Sequence, residues 1–342
     1  MLHFGANVDL LPYNTFHIPA LARLFVCISS AEEFVELTGT KEFRNNRILI
    51  LGGGSNILLT ADFDGLVVKN EIKGINVVAE DEDTVTLEVG SGEEWHGFVR
   101  YCVERDWGGV ENLSLIPGTV GAAPMQNIGA YGVEIRETIV HVDTIDMTTG
   151  ATRRFNNEAC AFGYRESVFK NEHKGRYFIS SVTLRLTRRN HVINTSYGAI
   201  KDILAQRGVT SPGVKDVSEA VIAIRRSKLP DPATIGNAGS FFKNPSVDAD
   251  TLEFIRSKTD HVPTFPGEGG LTKVPAGWLI EQCGWKGVTL GNIGVHKHQA
   301  LVLVNYGGGS GSEIWNLAMK IRESVKDKFG VTLQPEVNVI HP

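Results

Sequence analysis

The segment from Ile116 to Gly132, IPGTVGAAPMQNIGAYG, constrains the fold of this chain more than any other stretch. It combines many small residues with the polar side chains Thr119, Gln126 and Asn127, so it does not pack as an ordinary amphipathic element. Such a path suits a backbone that lies against a flat ligand and donates hydrogen bonds to it. The alternative is an irregular glycine-rich connection between elements.

A second glycine cluster, GGGSN at residues 52–56, follows a predicted buried strand at residues 47–51. It is not the dinucleotide fingerprint G-x-G-x-x-G, because the third glycine would fall at Ile57. The chain contains no Gly-Lys dipeptide, which excludes a P-loop. Consecutive unhindered backbone N–H groups can still form an anion-binding nest. The alternative is that these glycines only form tight turns and bind no anion.

The composition argues against several classes of function. The chain has 342 residues and a formal net charge of −5, which argues against nucleic-acid binding. The four cysteines are far apart and form no CxxC pair, so neither a disulfide scaffold nor a zinc or iron–sulfur site is expected. No apolar run approaches the ~18 residues that span a bilayer, and the first residues lack the pattern of a signal peptide. We expect a cytoplasmic protein of more than one domain.

Hydrophobic periodicity predicts interspersed helices and strands. A capping box, Ser30 to Glu33, opens a helix that ends before Gly39. Further helices are predicted at residues 94–107, 216–226 and 312–329. Strands are predicted at residues 47–51, 85–89, 179–186 and 299–304. The class is α+β or α/β, with a domain boundary near residues 190–218.

Arg165 stands in the aromatic stretch FGYRES, residues 162–167. The neighbouring rings predict a partly buried guanidinium, which needs a fixed partner such as a carboxylate. The alternative is an ordinary exposed arginine.

Residues 221–245 hold four basic residues, Arg225, Arg226, Lys228 and Lys243, against the single acid Asp231. In a chain of negative net charge, this cluster predicts a local site for phosphate or pyrophosphate. Complementing a helix C-terminus is the alternative role for one of the arginines.

Three further polar features are candidates for chemistry. Ser240, in GNAGSFFKNP, lacks the nucleophile-elbow pattern and is interpreted as a proton donor or a ligand hydrogen bond. Glu336 is a lone carboxylate in an apolar terminal strand, where a charge is costly unless it is paired. His296 and His298 would share one strand face, but no acidic or cysteine ligand has suitable spacing, so no metal site is predicted.

Together these motifs resemble the UDP-N-acetylenolpyruvoylglucosamine reductase (MurB) family of bacterial peptidoglycan synthesis. The resemblance runs from residue 14 to Glu336, and its blocks occur in the family's order. They are LGGGSN (51–56), IPGTVGAAPMQNIGAYG (116–132), FGYRES (162–167), RSKLPDP (226–232), GNAGSFFKNP (236–245), AGWLIEQCG (276–284) and QPE (334–336).

The resemblance implies an α+β fold. Two FAD-binding subdomains of the vanillyl-alcohol-oxidase/PCMH flavoprotein type, residues 1–68 and 69–217, would precede a C-terminal α+β substrate domain at 218–342. FAD would be bound noncovalently, NADPH would be the co-substrate, and NADPH and the UDP-sugar would use one site in turn. A monomer without nucleic-acid or membrane partners is expected.

The resemblance also implies roles for individual residues. The catalytic residues would be Arg165, Ser240 and Glu336. The FAD-binding residues would be Gly52, Gly53, Gly54, Ser55, Asn56, Pro117, Gly118, Thr119, Gly121, Ala122, Gln126, Asn127, Gly129, Ala130 and Tyr131. The substrate would be held by Lys228, Asn244, Gln299 and Tyr197, the last resembling the mobile tyrosine of the family's first type.

The implied reaction moves a hydride from flavin N5 to C3 of the enolpyruvyl group and a proton from Ser240 to C2. Two rival interpretations remain. A flavin oxidase of the same fold would use O₂ and often a covalent flavin, although residues 52–56 contain no histidine for such a link. A catalytically silent sugar-nucleotide sensor would not need Arg165, Ser240 and Glu336.

Overall fold

The computed structural model describes residues 2–342, which divide into two compact units. Unit 1 comprises residues 2–7, 23–53 and 64–227, and unit 2 comprises residues 8–22, 54–63 and 228–342. Both units mix helices with mostly antiparallel strands, which confirms the α+β class.

The strands are β1 (Gly5–Asp9), β2 (Leu21–Ile28), β3 (Ile48–Leu51), β4 (Ile57–Leu59), β5 (Phe63–Asn70), β6 (Ile75–Glu80), β7 (Thr84–Gly90), β8 (Gly129–Ala130), β9 (Val133–Glu134), β10 (Ile139–Asp146), β11 (Thr152–Asn156), β12 (Tyr177–Thr187), β13 (Ser246–Val247), β14 (Phe265–Pro266), β15 (Thr272–Lys273), β16 (Thr289–Leu290), β17 (Ile293–Val295), β18 (Leu303–Asn305) and β19 (Asn338–Ile340). The helices are α1 (Ala31–Thr38), α2 (Lys41–Arg44), α3 (Trp95–Val103), α4 (Gly198–Gln206), α5 (Val214–Lys228), α6 (Ala249–Arg256), α7 (Ala276–Gln282) and α8 (Gly311–Phe329).

Unit 1 is built around an antiparallel sheet of order β11-β10-β12-β7-β6. The apolar face of α3, including Trp95 and Phe98, belongs to the same buried core as Leu87 and Val182 of this sheet. A second sheet has the order β1-β2-β5-β3, in which β3 and β5 are parallel. Phe34 of α1 stacks on Phe178 of β12 with ring centroids 3.8 Å apart, so α1 shares a core with the first sheet.

Unit 2 contains two three-stranded sheets, β13-β15-β14 and β16-β17-β18, and the parallel pair β4-β19. Helix α8 supplies much of its core. The predicted apolar stripe of α8 is buried along its whole length: Ile314, Leu317, Ile321, Val325 and Phe329. Ser310 and Glu313 form a capping box at its start, and Gly330 ends it at φ 70°.

Three local predictions were wrong in part. The helix predicted to reach residue 107 ends at Val103, because Asp106 takes a left-handed φ of 56°. The strand predicted at residues 299–304 is confined to β18, because a turn joins Val302 N–H to Gln299 O at 3.0 Å. The Ser30 cap is confirmed, but the Glu33 carboxylate binds Ser29 instead of completing a capping box on Ser30.

The pair His296 and His298 was also misplaced. Strand β17 ends at Val295, so the two histidines lie in a bend beyond it, with ring centroids 5.5 Å apart. Among residues 2–342, no group of three or more His, Cys, Asp or Glu side chains could hold a metal ion. In the same residues, no helix has the length and apolar character to cross a bilayer.

Candidate active site

The two predicted cofactor segments meet in unit 1. A Cβ on Gly52 would lie 2.6 Å from Thr119 Oγ1, and one on Gly53 would lie 2.9 Å from Gly118 Cα. Neither glycine has room for a Cβ, because Gly53 faces the backbone of Gly118 and Gly52 faces the side-chain hydroxyl of Thr119. Glycine-rich backbone of this kind can bind phosphate groups, because its peptide N–H groups can approach the oxygens closely. The local geometry therefore fits a cofactor that carries a pyrophosphate.

The segment 116–132 follows the irregular path that its sequence predicts. Short 3₁₀ turns at Val120–Ala122 and Pro124–Gln126 are separated from β8 by Asn127, which takes a left-handed φ of 43°. Tyr131 is left-handed as well, with φ 53°. A chain with these reversals presents backbone groups in several directions, as the sequence analysis required of a ligand-facing path.

Asn127 is fully buried and holds this path in place. Its Nδ2 donates to Glu134 Oε2 and to Gly163 O, each at 2.9 Å, and its Oδ1 accepts from Arg136 N–H at 3.2 Å. Both amide hydrogens are therefore used within unit 1. Glu134 is a partner that the sequence analysis missed, since nothing local marks it as the acceptor.

Arg165 is partly buried, as predicted, and lies beside the same segment. Its Nη2 donates to Gly129 O at 2.6 Å, and its guanidinium carbon lies 5.3 Å from the centre of the Tyr164 ring. The residue has φ 58°, an uncommon conformation for an arginine, of a kind found most often at functional sites. A permanent cation is thus fixed next to a predicted cofactor segment.

Tyr197 and Tyr131 form an aromatic pair in unit 1. Their ring centroids are 5.1 Å apart at an interplanar angle of 84°, an edge-to-face contact. Tyr197 immediately precedes α4 and is 44% exposed, so its outer face is open to a ligand.

The predicted basic cluster is not a uniform surface patch. Arg225 is half-buried in unit 1, where its Nε donates to Leu115 O at 3.1 Å and its guanidinium hydrogen-bonds the Tyr131 hydroxyl. Burial lowers the pKa of Arg225 and raises that of Tyr131. Arg226 and Lys228 are exposed at the end of α5. Arg225 therefore anchors internal groups, while Arg226 and Lys228 remain accessible to an anion.

In unit 2, the segment carrying Ser240 is paired on both sides. Ser240 forms an antiparallel bridge with Val302, and Phe242 forms one with Pro335. The Glu336 N–H donates to Phe241 O at 2.8 Å. Ser240 and Glu336, remote in sequence, consequently lie on adjacent paired segments.

Asn56, at the end of the glycine loop, contacts the segment that carries Glu336. Its Nδ2 donates to Glu336 O at 3.3 Å, and its own carbonyl accepts from Asn338 N–H at 3.0 Å. Gly54, at φ 62°, would place a Cβ 1.9 Å from Tyr13 O, so no other residue fits there. Unit 2 therefore joins one predicted cofactor residue, Asn56, to one predicted catalytic residue, Glu336.

Two further predicted substrate residues of unit 2, Asn244 and Gln299, lie outside its helices and strands. Asn244 Oδ1 accepts from the N–H of Ala276, the first residue of α7, at 2.9 Å. Gln299 Oε1 accepts from Leu301 N–H at 3.3 Å, which orients its side chain within the turn before β18. Asn244 also lines a cavity of about 400 Å³ together with Lys243.

Two protein-family models match this chain and identify the class of protein. Residues 22–156 match the FAD binding domain family, and residues 231–340 match the family described as UDP-N-acetylenolpyruvoylglucosamine reductase, C-terminal domain. The chain thus belongs to a class of flavoproteins with an FAD-binding domain in the N-terminal half. The expected fold, FAD-binding region followed by a C-terminal domain, is confirmed.

Relatives that align over nearly their whole length show to which family the chain belongs. The UDP-N-acetylenolpyruvoylglucosamine reductase of Flavobacterium johnsoniae is 50% identical over 99% of this chain and all of its own, and that of Pseudomonas aeruginosa is 46% identical over 99% of each. The crystal structure of the enzyme from Thermus caldophilus superposes with a TM-score of 0.69 over all of this chain and 99% of its own, at 19% identity, which shows a shared fold. The chain belongs to the UDP-N-acetylenolpyruvoylglucosamine reductase (MurB) family.

Proposed function

We propose that this chain reduces the enolpyruvyl group of UDP-N-acetylenolpyruvoylglucosamine to the lactyl ether of UDP-N-acetylmuramate, in peptidoglycan precursor synthesis, with NADPH as electron source. The observation that carries the proposal is the pairing of the Ser240 and Glu336 segments in a chain so similar to proteins named for this reductase.

FAD is proposed to bind beside this part of unit 1, where Gly52 meets the Thr119 hydroxyl and Gly53 meets the Gly118 backbone with no space left for a Cβ. Residues 52–56 and 117–131 are proposed to hold it, the first at its pyrophosphate and the second along its flavin. When bound, FAD would supply the hydride chemistry that a reduction of the enolpyruvyl group by NADPH requires.

Residues of the chain are proposed to stabilise the charge that develops on the substrate and to donate the proton. Hydride addition at C3 leaves negative charge at C2, delocalised into the substrate carboxylate. Arg165, a permanent cation held by Gly129 O, is proposed to stabilise that charge, and preorganised groups of this kind are usually the largest catalytic contribution. The family resemblance pairs it with Glu336 at the carboxylate. Ser240 is proposed to give its hydroxyl proton to C2.

Lys228, Asn244 and Gln299 are proposed to bind the sugar nucleotide, with Tyr197 covering it. NADPH and the sugar nucleotide are proposed to occupy one site in turn, because both contain a nucleoside diphosphate. The exposed ammonium of Lys228 supports this role. The domain division 1–68, 69–217 and 218–342, the cytoplasmic location and the monomeric state stay predictions.

The direct test is product analysis. We expect the protein, with NADPH and the enolpyruvyl sugar nucleotide, to yield a product heavier by two hydrogens, seen by mass spectrometry. Oxidation of NADPH only in the presence of O₂, with the sugar nucleotide recovered unchanged, would instead identify an oxidase. Tight binding of the sugar nucleotide without any turnover would identify a sensor.

A further inference from the structure

Asn112 joins two segments that the proposed function treats separately. It lies in the 3₁₀ turn Glu111–Leu113 and is 1% exposed. Its Nδ2 donates one hydrogen bond to Tyr131 O at 3.1 Å and a second to Asn194 O at 3.0 Å. One side-chain amide therefore links the end of the proposed flavin-facing segment to the segment that leads into Tyr197.

The two segments also contact each other directly. Asn194 Nδ2 donates back to Gly132 O at 3.1 Å, and its Oδ1 accepts from Ser196 N–H at 3.0 Å. The Tyr131 and Tyr197 rings lie edge to face on the same stretches of chain. The position of Tyr197 is thus connected to that of Tyr131 through backbone as well as through rings.

The orientation of the Asn112 amide is determined by its two donors. Its Oδ1 is buried and accepts no hydrogen bond within residues 2–342, which is costly for a carbonyl removed from water. Rotating the amide by half a turn would set that oxygen against two carbonyl oxygens, so the observed orientation is the better one. An aliphatic side chain would avoid the cost of the buried oxygen. Compared with an aliphatic side chain, the asparagine therefore contributes the two donated hydrogen bonds.

We propose that Asn112 is a positioning residue that holds the Tyr197 segment against residues 129–132, and so sets how firmly Tyr197 closes on the sugar nucleotide. It acts through Tyr197 and touches neither substrate nor reacting atoms. The proposal rests on the proposed function, in which Tyr197 covers the substrate.

The test compares Asn112→Leu with Asn157→Leu. Asn157 makes the same type of contact elsewhere in unit 1, where its Nδ2 donates to Arg136 O and Ile139 O, each at 2.8 Å. We expect Asn112→Leu to speed amide hydrogen exchange in residues 191–197 by about tenfold and to raise KM for the sugar nucleotide by a similar factor. Flavin reduction by NADPH should stay within about twofold of wild type, as should all three quantities in Asn157→Leu.

A double-mutant cycle tests the route of the effect. In a Tyr197→Ala background, Asn112→Leu should add no more than about twofold to KM, because the residue through which it acts is gone. Full additivity of the two changes, or equal effects of Asn112→Leu and Asn157→Leu, would overturn the proposal and leave Asn112 a structural residue. If Asn112→Leu does not fold, Asn112→Ala, which removes both donors without adding bulk or charge, is put through the same measurements.

The exchange measurement separates this proposal from the proposed function. Unchanged exchange in residues 191–197 overturns the role of Asn112, whatever the enzyme turns over. A wild-type protein that ignores the sugar nucleotide refutes the proposed function and with it the effect on KM.

Discussion

The main-chain N–H of Glu336 donates to the carbonyl oxygen of Phe241 across 2.8 Å, one residue beyond Ser240. This single bond aligns the last segment of the chain with the segment carrying the proposed proton donor. Phe241 itself is fully buried, and its ring packs edge-on against Phe242 at 5.2 Å. The two paired segments are therefore held by a rigid apolar support, as a site that must fix reacting groups requires.

Ser240→Ala should slow only one of the two half-reactions. Flavin reduction by NADPH should be nearly unchanged, because Ser240 has no part in it. Reoxidation by the enolpyruvyl sugar nucleotide should slow by about 10²–10⁴-fold, the usual share of a positioned general acid. Ser240→Cys, with a more acidic group at nearly the same place, should recover part of the loss. Stopped-flow absorbance of the flavin measures each half, and equal slowing of both would remove Ser240 from the mechanism.

Gly52→Ala should impair FAD binding, because the new methyl group would meet Thr119 Oγ1 at 2.6 Å. Overpacking of this kind costs about 1–3 kcal/mol. Adding Thr119→Ala removes the clashing oxygen, so the double variant should bind as much cofactor as Thr119→Ala alone. The ratio of flavin to protein absorbance after purification reports the outcome.

The matched control for this glycine is Gly198→Ala, since a Cβ at Gly198 meets nothing within 4 Å. It should purify with the wild-type amount of FAD. A Gly52→Ala protein with full cofactor content would contradict the placement of the pyrophosphate at this loop.

Lys228→Ala should weaken NADPH and the sugar nucleotide alike. A charge-assisted hydrogen bond is worth about 1.5–3 kcal/mol, which is roughly ten- to a hundredfold in affinity. Lys215→Ala is the control, because Lys215 is exposed at the other end of the same helix, α5. Titration of each ligand by calorimetry gives the two affinities. Loss of one ligand alone would argue against a shared site.

His96 should contribute to the pH dependence of stability. Its Nδ1 accepts from Leu115 N–H at 2.9 Å, and burial is the main cause that lowers its pKa from 6.5. The folded state thus binds the proton less readily than the unfolded state. The contribution is fully present above pH 6.5 and is lost as the pH falls through the folded pKa.

His96→Asn keeps an acceptor near the Nδ1 position but does not titrate. The fall in Tm between about pH 7.5 and about pH 5.5 should therefore be smaller in the variant than in the wild-type protein. Both proteins retain the effect of His141 and His296, whose pKa values are lowered by burial too. Parallel Tm curves, measured by calorimetry, would assign no role to His96.

The sequence predicts those parts of the fold that have a strong local pattern. The stripe of α8 and the sheet-facing side of α3 are examples, since apolar spacing alone decides which face is buried. The strand before the glycine loop is another, since Ile48–Leu51 matches the predicted strand almost to its bounds, but the predicted burial was wrong for all of it except Leu51.

What the sequence could not predict depends on distant backbone groups. Arg225 was interpreted as part of an anion site, but Leu115, 110 positions earlier, supplies the carbonyl that engages it. Asn127 shows the same difficulty, because one of its partners is the carbonyl of Gly163. Asn112 had one available signal, its place beside Glu111 among the apolar residues Val110, Leu113 and Leu115. Polar residues in such a stretch need internal partners, but a single sequence does not say which.

The most direct test of the whole account is anaerobic reoxidation of the reduced protein. NADPH should bleach the bound flavin in the absence of O₂, and one equivalent of the enolpyruvyl sugar nucleotide should then restore its absorbance fully. A protein whose reduced flavin persists with the sugar nucleotide and is reoxidised only when O₂ is admitted would contradict the account.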